Sequence, residues 1–309
     1  MKIGIAGFGA MGSLFAAKLL EHNNEVVAID GWDQNVNTLN EKGLTFEDNG
    51  ETKNYSIKAL FPKDVNEKFD LILLFTKAMQ LDEMLTNLGD SIDDTLLLVL
   101  ANGVGNVETI EGHSSRDNIM AGTTLWSSEL VGPGSIKASG TGSINLQYLG
   151  TSKDAKVAEV VAEMNASGLN VTQSNDVISV IWTKAAFNSV INTYCGILDC
   201  SVGQFGTIKD RDFLMDSVLD EISEVAAAEK VEFHKEKVKA TLEEQFDPKK
   251  SGNHYPSLHQ DLSKGRKTEI DFLNGYFAKL GEKHGINVDD NSLLTSIIHA
   301  KEDLNELKK

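Results

Sequence analysis

A short apolar run, Lys2–Ala6, leads straight into Gly7-Phe8-Gly9-Ala10-Met11-Gly12, and a helical pattern opens at the last of these glycines. No other stretch limits the chain so sharply. The G-x-G-x-x-G spacing puts one glycine at a tight strand-to-helix turn. The second sits where backbone must approach a bound group, and the third where the helix packs on the strand. The start of the helix adds unsatisfied N–H groups and positive potential, which suit a pyrophosphate. Asp30 closes the next apolar run, at about the twenty-residue distance where an acid meets a ribose hydroxyl. Strand, turn, helix and acid together predict dinucleotide binding at Gly7, Phe8, Gly9, Ala10, Met11 and Gly12, with Asp30 on the ribose. A carboxylate there accepts from a free 2′-hydroxyl and repels a 2′-phosphate. No Lys or Arg follows before Lys42, so the residues favour NAD(H). The plainer reading of Asp30 is a helix cap, a role that Asp33 could fill equally.

The alternation continues downstream. Residues 71–75 and 96–101 are unbroken apolar runs, the second within a strand candidate over 95–101, and helical patterns cover 12–22, 34–42 and 79–88. Unbroken apolar strands separated by helices read as a parallel sheet buried on both faces. Two strand ends deliver Thr76-Lys77-Ala78 and Asn102-Gly103-Val104-Gly105 to the crevice where such sheets bind ligands. Lys77 and Asn102 are candidate contacts there, although Asn-Gly also makes ordinary turns. Between 106 and 150, Gly132-Pro133-Gly134 and the strand-like 143–148 predict appended antiparallel strands. Beyond Lys153 the pattern is helical, over 155–167, 176–194, 211–229, 269–284 and 291–308, with one short strand at 170–172. The expected fold class is α/β. A Rossmann-type doubly wound parallel sheet spans 1–172, and an all-helical domain for substrate and catalysis spans 173–309.

Asp and Glu number 46 against 29 Lys and Arg, a formal charge of −17. Such a surface repels phosphate backbones and anionic lipid, which argues against nucleic acid and membrane as partners. The apolar runs fall far short of the ~20 residues that span a bilayer. The chain begins with a strand-and-glycine pattern instead of a secretory leader, so a cytoplasmic location is expected. Cys195 and Cys200 match no zinc spacing. His234, His254, His259, His284 and His299 show no i, i+4 pairing, so no metal site is read. The helices over 211–229 and 291–308 can pack within the domain or across a homodimer.

One helical stretch stands out. Val177, Ile178, Ile181, Trp182, Ala185, Ala186, Phe187, Val190 and Ile191 make it apolar around most of its girth. Lys184, Asn188 and Asn192 form a polar stripe at i, i+4 and i+8, over roughly 12 Å of axis. Hydrogen bonding to another buried element explains Asn192 adequately. A lysine in such surroundings is costly unless its ammonium reaches water or an acceptor. Desolvation lowers its pKa and makes it a proton donor near neutrality. Hydride addition to a ketone leaves an alkoxide, which Lys184 could protonate. Farther on, Thr268 with Asp271 reads as a capping box that sets Glu269 in a first helical turn. Charge–dipole placement alone accounts for an acid there; the functional reading is a carboxylate that orients a lysine or a substrate hydroxyl.

GFGAMG at 7–12, TKAMQ at 76–80, NGVGN at 102–106, WTKAAFNSVIN at 182–192 and PSLHQDL…KTEIDFLNG at 256–275 together resemble the ketopantoate reductase (2-dehydropantoate 2-reductase) family over nearly the whole chain. The resemblance implies reduction of a small 2-keto acid, 2-dehydropantoate or similar, to the D-2-hydroxy acid with NAD(P)H, in a cleft between the domains. It implies Lys184 as general acid and Glu269 as the group that binds a substrate hydroxyl and places Lys184. Ser257 then meets the substrate carboxylate, Asn188 and Asn192 contact substrate, Asn102 lies by substrate and nicotinamide, and Lys77 lies near the adenosine end. Members using NADPH usually carry a basic residue after the second strand, where this chain has Asp30-Gly31-Trp32; the family alone leaves NADP(H) open. IDGW, LFTKAMQLDEML and HYPSLHQDL look like a branch of the same family, the NAD-dependent D-2-hydroxyacid dehydrogenases of D-mandelate type, which take branched or aromatic 2-keto acids. A non-enzymatic NAD(H) sensor would need only the fingerprint and has no use for the lysine stripe. A 3-hydroxyacid dehydrogenase is disfavoured by the PSLHQDL and TEIDFLNG segments.

Overall fold

Residues 1–308 are described by a computed structural model. The chain divides into one unit formed by Met1–Ala101 and Asn106–Val177, and another formed by Asn102–Gly105 and the chain from Ile178 onward.

In the first unit, β1 (Lys2–Ala6), α1 (Ala10–Glu21), β2 (Glu25–Ile29) and α2 (Asp33–Lys42) follow one another directly. Three strands come next: β3 (Leu44–Asp48), β4 (Glu51–Tyr55) and β5 (Lys58–Leu60). After them come β6 (Leu71–Leu74), α3 (Ala78–Leu88), β7 (Leu96–Val99) and α4 (Asn106–Glu111). Then β8 (Ile119–Thr124), β9 (Glu129–Gly132), β10 (Ser135–Ala138) and β11 (Ile144–Tyr148) lead to α5 (Asp154–Ala166) and β12 (Val171–Gln173).

The main sheet runs β12-β11-β8-β7-β6-β1-β2-β5. Every pair from β5 to β8 is parallel, whereas β11 lies antiparallel to β8. Ile3, Ile5, Leu71, Leu73, Leu96 and Leu98 are fully buried, as strands covered on both faces require. The chain winds from β1 outward through β2, then returns to β6 on the other side of β1. That reversal makes the carboxyl ends of β1 and β6 the switch point at which open α/β sheets bind ligands. A second sheet, β4-β3-β10-β9, pairs β10 parallel with β3 and antiparallel with β9. The antiparallel strands expected over 106–150 are present, and half of them build this second sheet.

The other unit is helical: α6 (Val177–Leu198), α7 (Val202–Gly206), α8 (Arg211–Ala228), α9 (Lys235–Gln245), α10 (Ser257–Ser263), α11 (Asn274–His284) and α12 (Asp289–Glu306). Its core gathers Trp182, Val190, Phe205, Leu219, Ile222, Phe277 and Ile298, with Trp182 edge-on to Phe277 at 5.3 Å. A chain of polar groups crosses that core. Thr193 donates to Asn274 (2.7 Å), Asn274 to Asn291 (3.0 Å) and Asn291 to Glu221 (2.6 Å). Glu221 also accepts the backbone N–H groups of Asp290 and Asn291, closing the open start of α12. At the other end of α12, Lys301 donates to the carbonyls of Gly196 and Ile197 (2.8 and 3.0 Å) and so caps α6. The helix expected over 269–284 is shorter. A single 3₁₀ turn, Ile270–Phe272, precedes α11, and Glu269 lies outside both.

Candidate functional site

Two cavities hold the candidate residues, one in each unit. The first, about 560 Å³, opens at the switch point and is lined by Gly7, Phe8, Gly9, Asp30, Gly31, Trp32, Thr76 and Lys77, together with a face of α3. Its volume lies within the range of small-molecule sites, about 300–1,000 Å³. Gly7 turns with φ +89°, and a Cβ there would sit 2.3 Å from the Thr76 nitrogen, so the turn accepts glycine alone. Over Gly9 a Cβ would meet nothing within 4 Å, which leaves the backbone open to a ligand. The Thr76 hydroxyl is buried and has no hydrogen-bond partner among the described residues. Asp30, half-buried, takes the Trp32 N–H at 3.0 Å and the Asn35 amide at 2.9 Å. Open glycine backbone, an unsatisfied hydroxyl and a fixed carboxylate at the lip fit a dinucleotide.

Of the fingerprint residues, Gly7, Phe8 and Gly9 line this cavity, and Ala10, Met11 and Gly12 do not. The Ala10 carbonyl instead accepts the Ser128 hydroxyl (3.0 Å), Met11 packs against the core and Gly12 is buried. Gln80, Glu83, Met84 and Asn87 were not anticipated as lining residues. Their i, i+3, i+4, i+7 spacing on a helix that follows β6 was the available signal.

The second cavity, in the helical unit, is small, about 10 Å³, on the order of one water. Asn102, Asn188, Asn192, Ser257, Asp261 and Glu269 converge on it, with Leu258 and Leu273. These positions come from well-separated segments. Asn102 is brought in because the Val104 N–H donates to the Phe272 carbonyl at 3.0 Å. Asn188 and Asn192 share one face of α6, and Asn192 approaches the Ser257 hydroxyl at 3.4 Å, a long contact. Asp261, buried and not foreseen, is gripped by the Arg266 guanidinium at 2.7 and 2.8 Å.

Lys184 is not among the lining residues; it lies one turn before Asn188 on the same stripe. Its side chain is half-buried by exposed area, but protein surrounds the ammonium closely enough that desolvation pulls its pKa below the usual lysine value. The Glu269 carboxylate partly offsets that fall. Glu269 is not held by the capping box expected from Thr268 and Asp271. The Thr268 N–H and hydroxyl both donate to buried Glu302 of α12, at 2.8 and 2.6 Å. Glu302 thereby takes the N–H that Asp271 would have accepted in the box, while the Thr268 hydroxyl oxygen still accepts the Ile270 N–H at 3.3 Å. Among the described residues, no group of three or more His, Cys, Asp or Glu could hold a metal ion, and no helix is long and apolar enough to cross a membrane.

The family described as "Ketopantoate reductase PanE/ApbA" matches residues 3–151, and its C-terminal counterpart matches 176–302. A 2-dehydropantoate 2-reductase of Lactococcus lactis subsp. lactis is 40% identical over the full length of both chains. The enzyme of the same name from Streptococcus pyogenes is 36% identical over 98% of each. Among solved structures, D-mandelate dehydrogenase with NADH and anilino(oxo)acetate superposes with a TM-score of 0.94 at 40% identity, covering 99% of this chain and 100% of that one. With matches running the length of both units, the chain belongs to the ketopantoate reductase family, oxidoreductases that act on a CH–OH group.

Proposed function

We propose that this protein reduces a 2-keto acid to the D-2-hydroxy acid, with Lys184 as proton donor and NADH preferred over NADPH. One observation carries the reading: a desolvated ammonium, held under the influence of Glu269, stands on the same helix stripe as Asn188 and Asn192. The nicotinamide cofactor, when bound, supplies a hydride. This chain's residues do the remainder. Lys184 gives a proton to the oxygen that becomes negative, and its lowered pKa makes that transfer easier near neutrality. Glu269 keeps the ammonium charged and accepts from a substrate hydroxyl. Asn188, Asn192 and Ser257 hold the substrate's polar groups, and Asn102 adds a donor and an acceptor beside them.

In the first unit the glycine loop receives the pyrophosphate, Asp30 the ribose hydroxyls, and Lys77 contacts the adenosine end. Asp30 and Glu83 are acidic lining residues set against the single basic Lys77, which disfavours a 2′-phosphate at the Asp30 lip. The two domains of this reading divide the work at about residue 173. Two substrate classes follow from the relatives. Ketopantoate is named by the bacterial reductases, and an aryl 2-hydroxy acid, D-mandelate, by the neighbouring dehydrogenase; the Asp30-Gly31-Trp32 segment favours the second class, extended to branched 2-keto acids by the resemblance. Free Cys195 and Cys200 suit a reducing, cytoplasmic setting. Turnover of ketopantoate, branched and aromatic 2-keto acids, each with NADH and NADPH, is the test. Oxidation of neither cofactor with any of them would refute the proposal.

A further inference from the structure

Asn35 lies in the first turn of α2 and is 1% exposed, a place where asparagine is a poor helix former. Its amide is fully committed. One N–H donates to the Phe8 carbonyl in the glycine loop at 2.8 Å, and the other to Asp30 Oδ2 at 2.9 Å. Its oxygen accepts the Gly134 N–H at 2.8 Å from the turn between β9 and β10. A carbonyl can only accept and an N–H can only donate, so these two backbone partners fix which end of the amide faces Asp30. The other Asp30 oxygen takes the Trp32 N–H at 3.0 Å.

We propose that Asn35 is a specificity-determining positioning residue, which locks the Asp30 carboxylate and the glycine loop into one frame suited to an unphosphorylated ribose. The inference rests on the reading that Asp30 meets the cofactor ribose. With one protein donor on each oxygen, the carboxylate is held in one orientation and each oxygen keeps lone-pair capacity for a hydroxyl. A freely rotating carboxylate would have to be ordered on binding, at the expense of affinity. A 2′-phosphorylated ribose gains nothing from Asp30, so its affinity does not depend on that ordering.

The test is direct titration of the ligand-free protein with NADH and with NADPH, followed by nucleotide fluorescence and compared as Kd(NADPH)/Kd(NADH). Asn35→Leu is expected to lower that ratio about tenfold, the worth of a charge-assisted hydrogen bond, by weakening NADH more than NADPH, any loosening of the glycine loop being common to both. Asp30→Ala should lower it as well, and the double variant no further than Asp30→Ala. A general packing role for Asn35 would weaken both nucleotides equally. An unchanged ratio in Asn35→Leu beside a lowered one in Asp30→Ala therefore overturns the proposal, as does full additivity in the double variant. An unchanged ratio in Asp30→Ala itself would instead refute the ribose reading and take the proposal with it. If Asn35→Leu does not fold, Asn35→Ser, whose hydroxyl is too short to span both partners, is measured in the same way.

Discussion

At Lys184 two opposing influences meet. Desolvation disfavours its charge and Glu269 restores part of it. Removing the amine should lower kcat for 2-keto acid reduction by about 10² or more. NADH affinity, measured by titration, should stay near wild type; near-normal turnover would exclude Lys184 as the acid. Glu269→Gln tests the coupling through pH. The carboxylate raises the lysine's pKa, so a neutral amide lets it fall further. Reduction needs the ammonium form, and its rate declines as pH rises through that pKa. The alkaline limb of the kcat profile should therefore move to lower pH, and an unmoved limb would dissociate the two groups. Lys184, Asn188 and Asn192 were legible in the sequence because helical periodicity aligns them. Asp261 and Asn35 were not, since their importance comes from partners, Arg266 and Gly134, that the sequence does not mark as neighbours.

Among the elements, α12 reaches both halves of the candidate catalytic pair. Lys301 caps the helix that carries Lys184, and Glu302 latches Thr268, the residue before Glu269. Glu302→Ala leaves the buried Thr268 N–H and hydroxyl unsatisfied, a cost of about 1–3 kcal/mol for each group left unpaired. We expect a lower urea midpoint and a fall in kcat larger than any change in KM. Glu302→Gln retains an acceptor for Thr268 and should recover most of both; equal damage from the two variants would show that the charge, not the latch, matters. Thr268 also shows where reading by local pattern fails. A capping box was visible in the sequence, and the acceptor that takes its Thr268 N–H in place of Asp271 comes from the C-terminal helix. Strands β1, β2, β6 and β7 were legible as apolar runs. Strand β4, Glu-Thr-Lys-Asn-Tyr, is exposed almost throughout and carries no such signal. Helix α9 buries Val238 and Leu242 alone, too little to stand out in a charged stretch.

For the molecule as a whole, a charge of −17 means that acids outnumber their ion-pair partners. Exposed pairs such as Lys250 with Glu244 (2.7 Å) are individually worth little, so net repulsion remains. Raising NaCl from about 0.05 M to about 0.5 M shortens the screening length severalfold and should raise Tm, by roughly 2–4 °C per kcal/mol of repulsion relieved. A fall in Tm would mean that the ion pairs outweigh the surplus.

The relay from Thr193 through Asn274 and Asn291 to Glu221 bears on how such a sequence can drift. Each member consumes what the next one offers, so a lone replacement strands a neighbour in an oily interior. Variation at these four sites should therefore arrive in concert, as an ensemble swapped for another ensemble, while volume-conserving swaps among the greasy positions around them can come one at a time.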